Sequence, residues 1–347
     1  KFGLCDILKE GVNFDTPPNP DLKWQTTKKF NVGITSSFLG DRLNVNLDVY
    51  NEKTIDMLID RSLPPSSGTT SVKANLGSQT SNGIEFSVWG KIIRTKDWEW
   101  TLSVNGLHSK TTINNISEAM KRMNEQNATG YTDGSVSVAS SSPLFQYREG
   151  ESPTAIYAVR SAGIDPATGR EIFIKQDGSY TYTYDTKDQV ACGDTNPVMQ
   201  GSFSSMLQYK NFSLTASFQY RFGGKMYNST RALKVENINP RQNCDVRAFT
   251  DRWTKPGDVK PYIDIANATG NTSVYTDRFV EKDNELWLSS LYLQYNVPVT
   301  FLRKIHVQKL YVGIGTEDLF RITSAKYERG TSYPYSRSVN MSASLTF

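Results

Sequence analysis

Ten aromatic side chains that carry a polar tip stand in segments without a clear strand pattern. Side chains of this kind can stack on sugar rings or grip peptide side chains, because each offers an apolar body and a hydrogen-bonding group. They are Tyr131, Tyr147, Tyr180, Tyr182, Tyr184, Trp253, Tyr262, Tyr275, Tyr333 and Tyr335. The alternative is that most of them pack the loops together, since long ordered loops need small cores of their own.

The sequence offers little for catalysis or metal binding. The two histidines, His108 and His306, are predicted at opposite ends of the strands, and neither has a plausible Ser and Asp partner. Four acids of one long loop could supply oxygen ligands to Ca²⁺, but their spacing matches no calcium motif, and the turn sequences Asp165-Pro166 and Asp177-Gly178 explain two of them as turn formers. They are Asp165, Asp177, Asp185 and Asp194. We expect no enzyme activity, no catalytic residues, no metal and no cofactor.

The spacing of the cysteines and the net charge argue against a metal site and against nucleic-acid binding. Cys5, Cys192 and Cys244 are widely spaced and form no CxxC pair, so a metal site is not expected, while an oxidising compartment would permit one disulfide. A bridge between Cys192 and Cys244 and free thiols both stay open. The net charge is +4, with Lys and Arg scattered among acids, which gives no support to nucleic-acid binding.

The composition indicates a chain made of strands. Aromatic residues make up 12% of it, while apolar residues total only 37%, and no stretch approaches the roughly 18 apolar residues of a spanning helix. A soluble β protein and a transmembrane barrel remain, because only helices and closed barrels satisfy the backbone in lipid.

Period-two alternation predicts nine strands. Their alternating cores are residues 29–35, 43–50, 84–89, 98–105, 201–209, 212–221, 290–297, 310–314 and 339–347. Short turns, such as Leu39-Gly40-Asp41-Arg42, alternate with long connections, the longest at about 110–199 and 223–284. This asymmetry is typical of bacterial outer-membrane barrels, in which the long loops are extracellular, and it predicts Phe347 at the periplasmic rim.

A water-soluble sandwich would alternate in the same way, but two features favour the barrel. The strands are about 10 residues long, as a spanning strand requires, and aromatic residues gather near strand ends. Polar positions such as Glu85, Glu99, Gln219, Arg221 and Gln294 would then face the lumen. An odd strand number would leave open edges in lipid, so we expect further strands and a plug outside residues 1–347.

Seven segments carry recognisable strings. The first is Asn19-Pro20-Asp21-Leu22-Lys23-Trp24-Gln25-Thr26-Thr27, and the most distinctive is Arg252-Trp253-Thr254-Lys255-Pro256-Gly257-Asp258. The others are 50–58, 82–85, 162–169, 193–197 and 222–228. In this order they resemble the C-terminal barrel of SusC/RagA-type TonB-linked outer-membrane transporters of Bacteroidetes, whose NPxLKWE-type entry to a strand is similar to the first segment. The segments 284–295 and 315–320 depart from the family's usual strings but keep the alternation.

The resemblance implies an all-β fold: the C-terminal portion, about nine strands, of an antiparallel transmembrane barrel of about 22 strands with an N-terminal plug. It also implies energy from TonB through an upstream segment, a SusD-like surface lipoprotein as partner, and outer-membrane lipid around the wall. The expected function is active import of a large nutrient, foremost a glycan oligosaccharide. Oligopeptide import and a passive porin or structural barrel are the alternatives.

Overall fold

The computed structural model describes residues 18–62, 71–75, 77–118, 120–125, 143, 146–238, 245–267, 275–302, 307–325 and 337–346. Within these ranges, no helix is both long and apolar enough to cross a membrane. Strands are the main secondary structure of the described residues, and they are β1 Thr26–Phe38, β2 Leu43–Ile55, β3 Leu58–Ser62, β4 Ser71–Asn75, β5 Gly77–Arg94, β6 Trp98–Ile116, β7 Ala155–Ile164, β8 Glu171–Ile174, β9 Tyr180–Thr181, β10 Gln189–Asp194, β11 Met199–Tyr209, β12 Phe212–Tyr227, β13 Val280–Asn296, β14 Lys309–Glu317, β15 Arg321–Thr323 and β16 Val339–Thr346.

Helical segments are short and lie in the connections. The α-helical turns are Ser229–Arg231, Arg247–Thr250 and Val299–Leu302, and Ala232–Glu236 is a π-helix. Three 3₁₀ turns span Thr186–Asp188, Ile265–Asn267 and Asp277–Phe279, and residues 118 and 120–125 are helical.

The main sheet has ten strands, nine of them in the antiparallel order β1-β2-β5-β6-β11-β12-β13-β14-β16, with β15 paired to β13. All nine strands predicted from alternation are present, and each pairs with its predicted neighbour. Several are longer than predicted: β5 has 18 residues and β6 has 19, whereas about 9–11 cross a bilayer. The wall of this sheet therefore extends well beyond a membrane's hydrocarbon layer at the end that carries the long connections.

One face of the main sheet is apolar and exposed. On β1, the side chains of Phe30, Val32 and Ile34 are 69%, 52% and 62% exposed. Such a continuous apolar surface would be unfavourable in water, so it fits a lipid-facing wall and excludes the water-soluble sandwich.

Two glycines meet on this apolar face, where Gly106 of β6 pairs with Gly201 of β11. The ring of Phe86 lies over Gly106, and Tyr220 crosses the glycine pair to donate its hydroxyl hydrogen to the Asn105 carbonyl at 2.8 Å. The large rings fill the space that the missing side chains leave, as aromatic residues do beside strand glycines.

Aromatic pairs mark the short-turn end of the wall. The rings of Trp98 and Tyr209 lie 4.3 Å apart, and those of Phe212 and Tyr295 lie 4.6 Å apart. These four positions are consecutive across β6, β11, β12 and β13. Such a row of aromatic side chains at one end of the strands is typical of outer-membrane barrels; Phe347, predicted at the same rim, lies outside the described residues.

The long connections contain a second layer of structure that alternation did not predict. Strands β7 to β10 form a four-stranded sheet in the order β10-β7-β8-β9, and β3 pairs with β4. We call strands β7 to β10, together with residues 228–238, 245–267 and 275–279, the loop platform. Its core is apolar and consists of Ile156, Ala232, Val235, Ile238, Ala248, Tyr262, Tyr275 and Phe279, together with Tyr227 at the end of β12. Burying side chains such as Val235 and Phe279 contributes about 1.5–3 kcal/mol each, so the platform has a core of its own.

Candidate ligand-binding surfaces

The polar face of the main sheet carries an open groove of about 760 Å³. One row of directly paired residues crosses this groove from β2 to β13, and we call it the neutral row: Asn46, Ser87, Asn105, Ser202, Gln219 and Trp287. Within it, the Asn105 carboxamide donates to Ser202 Oγ at 2.8 Å. The row presents amides, hydroxyls and an indole, all uncharged.

Charged side chains flank the neutral row: Asp48 of β2 and Glu85 of β5 line the same groove, and others lie on β12, β13 and β15. Arg221 lies 2.9 Å from Asp283 and 3.0 Å from Glu285, and Arg321 reaches Glu285 at 3.3 Å. The guanidinium of Arg321 also lies over the Trp287 ring, 5.3 Å from its centroid. Glu285 is only 2% exposed and holds the Arg321 guanidinium in place. Arg321 in turn packs on the Trp287 ring at the edge of the groove.

The residues predicted to face the lumen divide into two groups. Glu85, Gln219 and Arg221 line the groove. Glu99 instead pairs with Lys91 at 3.0 Å, and the Gln294 carboxamide donates to Asn296 at 2.8 Å. Periodicity predicted the face, whereas the local partners decide which side chains are available to a ligand.

Arg278 connects three segments of the loop platform. Its guanidinium donates to both carboxylate oxygens of Glu171 at 2.6 and 2.7 Å, to Glu236 at 2.7 Å and to the Pro261 carbonyl at 2.6 Å. Burial alone would lower the pKa of Arg278, but attraction by Glu171 and Glu236 outweighs it and raises that pKa well above the ordinary range. Burial raises the pKa of Glu236, which Arg278 offsets only in part.

Arg252 begins the segment 252–258, and its buried guanidinium holds several backbone segments of the platform together. This arginine is 3% exposed. Its guanidinium donates to the backbone carbonyls of Ala248 and Ile263, both at 2.8 Å, of Glu236 at 2.7 Å and of Val235. Its guanidinium thus satisfies backbone acceptors that a short π-helix and loop leave without partners. Burial lowers the pKa of Arg252.

Two segments that resemble the transporter family contact each other across the platform. Trp253 donates its indole N–H to the Pro166 carbonyl at 2.9 Å, and the Gly257 amide donates to the same carbonyl at 2.8 Å. Gly169 has φ +68°, and a side chain there would meet the Trp253 ring at 2.5 Å. The glycine is therefore required both by its conformation and by close packing.

The predicted ligand-contacting aromatics lie in different environments. Trp253, Tyr262 and Tyr275 are buried in the platform. Tyr147 is half-buried, and so is Tyr184, which packs edge-on against Phe173 at 5.6 Å and has its pKa raised by burial to about 12.

Two of these aromatics remain exposed: Tyr180 is 70% exposed and Tyr182 is 43% exposed. Tyr131, Tyr333 and Tyr335 lie outside the described residues. The packing alternative therefore describes the buried members of the set, while contact with ligand stays a prediction.

The cysteines and the loop acids have local partners. The Cys192 thiol lies 3.5 Å from the Ala158 carbonyl, and burial raises its pKa to about 11. Cys244 lies outside the described residues, so the bridge stays a prediction. Asp165 accepts hydrogen bonds from Thr168 and Ala167, Asp177 from Ser179 and Asp185 from Lys187, which are turn and cap contacts, while Asp194 accepts one from Thr154, 40 positions away.

The separation of the two histidines stays a prediction, because only one of them lies within the described residues. His108 contacts the Val198 carbonyl through Nδ1, and His306 lies outside the described residues. Within the residues that the structure describes, no three His, Cys, Asp or Glu side chains come together as a metal site.

Sequence reasoning missed several residues that this geometry brings forward: Asn46, Asn105, Ser202 and Trp287 on the wall, and Glu171, Glu236 and Arg278 in the platform. The wall positions could have been found by extending each strand in register. The platform residues carry no sequence signal, since Glu171 and Arg278 lie 107 positions apart.

Residues 9–314 match the family model described as TonB dependent receptor-like, beta-barrel. The chain belongs to this family. Among curated relatives of this TonB-dependent receptor barrel, TonB-dependent receptor P3 of Formosa agariphila is 25% identical over 333 residues, which cover 92% of the chain and 32% of that protein. TonB-dependent receptor SusC of Bacteroides thetaiotaomicron is 27% identical over 220 residues, 60% of the chain and 20% of that protein.

Solved structures show the same fold. The chain superimposes on the RagAB peptide importer in its open-open state with a TM-score of 0.73 at 24% identity, over 97% of the chain and 36% of that one. The prediction of a C-terminal portion of an antiparallel outer-membrane barrel of the SusC/RagA type is thereby confirmed. The chain spans about a third of the length of the relatives it matches most fully.

Proposed function

We propose that this barrel segment belongs to a TonB-dependent transporter that imports a glycan oligosaccharide across the outer membrane. In this proposal a SusD-like lipoprotein closes the long-loop end, and TonB acts through a segment outside the 347 residues. The barrel itself moves its cargo without chemical change.

The neutral row is the observation that supports a glycan. Hydroxyl-rich cargo needs many hydrogen-bonding partners without net charge, and the row offers amides and hydroxyls on five neighbouring strands. Trp287, held by Arg321, adds an aromatic face of the kind that stacks on sugar rings. Oligopeptide import is the second candidate, because RagAB is described as a peptide importer and shares the fold.

Growth and uptake in the native bacterium test the proposal. A deletion of the full-length gene should abolish growth on at least one defined glycan as sole carbon source, and complementation should restore it. Loss of growth on peptides alone would favour the oligopeptide alternative. Removing TonB in the complemented strain should also abolish glycan uptake, whereas uptake that continues without TonB would identify a passive porin.

A further inference from the structure

A cleft of about 220 Å³ opens in the loop platform beside Arg278. Glu171 and Phe173 of β8 form one wall, and Glu236 and Asn237 at the end of the π-helix form another. The cleft is about the volume of seven waters in the liquid, which leaves room for one small ring and not for an extended chain.

One wall of the cleft contains a buried carboxylate oxygen without a donor. Glu236 is 3% exposed, and its Oε1 accepts from Arg278, but its Oε2 has no hydrogen-bond partner among the described residues. A buried acceptor left in this state is costly, so it favours a ligand that brings a hydrogen-bond donor.

Two carboxamides add unused hydrogen-bonding capacity. Asn237 and Asn267 both line the cleft, and neither side chain makes a hydrogen bond within the described part of the chain. Each carboxamide can donate twice and accept through its oxygen. Together with Glu236 they offer acceptors and donors from two walls.

An aromatic side chain stands at the mouth in a fixed orientation. The Tyr182 hydroxyl donates to Asp165 at 2.7 Å, and Arg170 lies over the Tyr182 ring at 4.7 Å from its centroid. Among the charged groups that line the cleft, Arg170 and Arg278 balance Glu171 and Glu236. This balance gives a charged ligand no net attraction.

We propose that this cleft is a binding subsite for a single neutral, polyhydroxylated ring, the size of one hexose unit of a larger glycan. A ring hydroxyl donates to Glu236 Oε2, other hydroxyls bind Asn237 and Asn267, and the less polar ring face lies on the aromatic side chains. The inference rests on the proposed function and gives it a recognition point outside the groove of the wall.

The full-length transporter, purified in detergent, provides the test. Saturation-transfer NMR is recorded with the methyl pyranosides of glucose, galactose and mannose, with n-butylamine as a cationic probe and cyclohexylmethanol as an apolar one. We expect transfer to at least one pyranoside. Tyr182→Ala and Asn267→Ala should each weaken its binding roughly tenfold, the size that loss of one good contact gives. Phe249→Ala, which removes an exposed platform aromatic outside the cleft, should leave it unchanged.

The outcomes are distinct. No transfer to any pyranoside, or equal transfer in all variants, overturns the subsite, and preferred binding of n-butylamine overturns it in favour of a cationic ligand. Thermal unfolding of each variant shows whether the platform is intact. If the deletion strain loses growth on a glycan while the cleft binds no pyranoside, the subsite fails and the proposed function stands. If the cleft binds a pyranoside while the deletion strain shows no growth defect on any glycan, the subsite stands and the proposed function fails.

Discussion

Arg278→Ala should loosen the loop platform while leaving the barrel wall folded. Within the described structure, the substitution removes the one guanidinium that forms ion pairs with the carboxylates of Glu171 and Glu236, and these two side chains are 8% and 4% exposed. Removing one partner of a buried ion pair costs about 3–5 kcal/mol, because the remaining charges stay buried and unpaired. The Pro261 carbonyl also loses its donor.

Hydrogen exchange of the full-length protein in detergent measures this effect. A loss of about 3 kcal/mol raises the population of the opened platform by roughly a hundredfold. Amides that join the platform segments should report it: Val159, bonded to the Tyr275 carbonyl, and Asn228, bonded to the Phe279 carbonyl. Peptides from β11, which lies in the wall, should exchange as in the wild type.

The pH dependence of this defect follows from the Glu236 carboxylate. Burial holds the folded pKa of Glu236 above its ordinary value, so the folded state binds its proton more readily than the unfolded state. Stability from this group is present below the ordinary pKa and is lost as the pH rises through the raised one. The Arg278→Ala defect should therefore be smaller at pH 5 than at pH 8.

Lys121→Ala, which removes an exposed ion pair with Glu118, is the control and should change nothing measurable. Exchange in Arg278→Ala that matches this control would refute the argument that the buried ion network holds the platform. Faster exchange spread equally over the wall would refute the separation of platform and wall.

Three further predictions concern other contacts. Arg252→Ala should destabilise the platform by about 3 kcal/mol, since it leaves several buried carbonyls without donors, and exchange of segment 247–263 should show it. Gly201→Ala should lower the unfolding temperature of the barrel, because its Cβ would meet the Asn105 carbonyl oxygen at 2.1 Å, while Gly90→Ala, whose nearest neighbour is at 3.5 Å, should not. Trp287→Ala should raise the half-saturating glycan concentration for uptake severalfold with unchanged barrel unfolding; an unchanged value would remove this side chain from the binding surface.

The wall was predictable because strand alternation is a local property. Phe30, Val32 and Ile34 show the apolar face within six residues of sequence, and the turn at Gly40 sets the register of the next strand. The loop platform was not predictable in the same way. Its strands β8 and β9 have four and two residues, too few to show a period, and its π-helix has no sequence signature comparable to alternation.

The aromatic residues of the candidate site were also predictable only in part. The sequence identified tyrosine and tryptophan side chains in the long connections, but exposure depends on packing that composition does not encode. Tyr182 stays exposed and lies at the mouth of the cleft, whereas Tyr262, with the same chemistry, is buried and accepts a hydrogen bond from Arg231 at 3.1 Å.

The sequence by itself determined the class of the protein: an antiparallel wall with one apolar face, short turns at one end, long connections at the other, and segments that mark a transporter family. These features arise between residues that are close along the chain or directly paired across strands. Only the tertiary structure decided that Arg278 meets Glu171 and Glu236 and that Trp253 packs on Gly169. Such contacts join residues far apart in sequence, and their energy comes from mutual burial, which exists only once the loops have folded against each other.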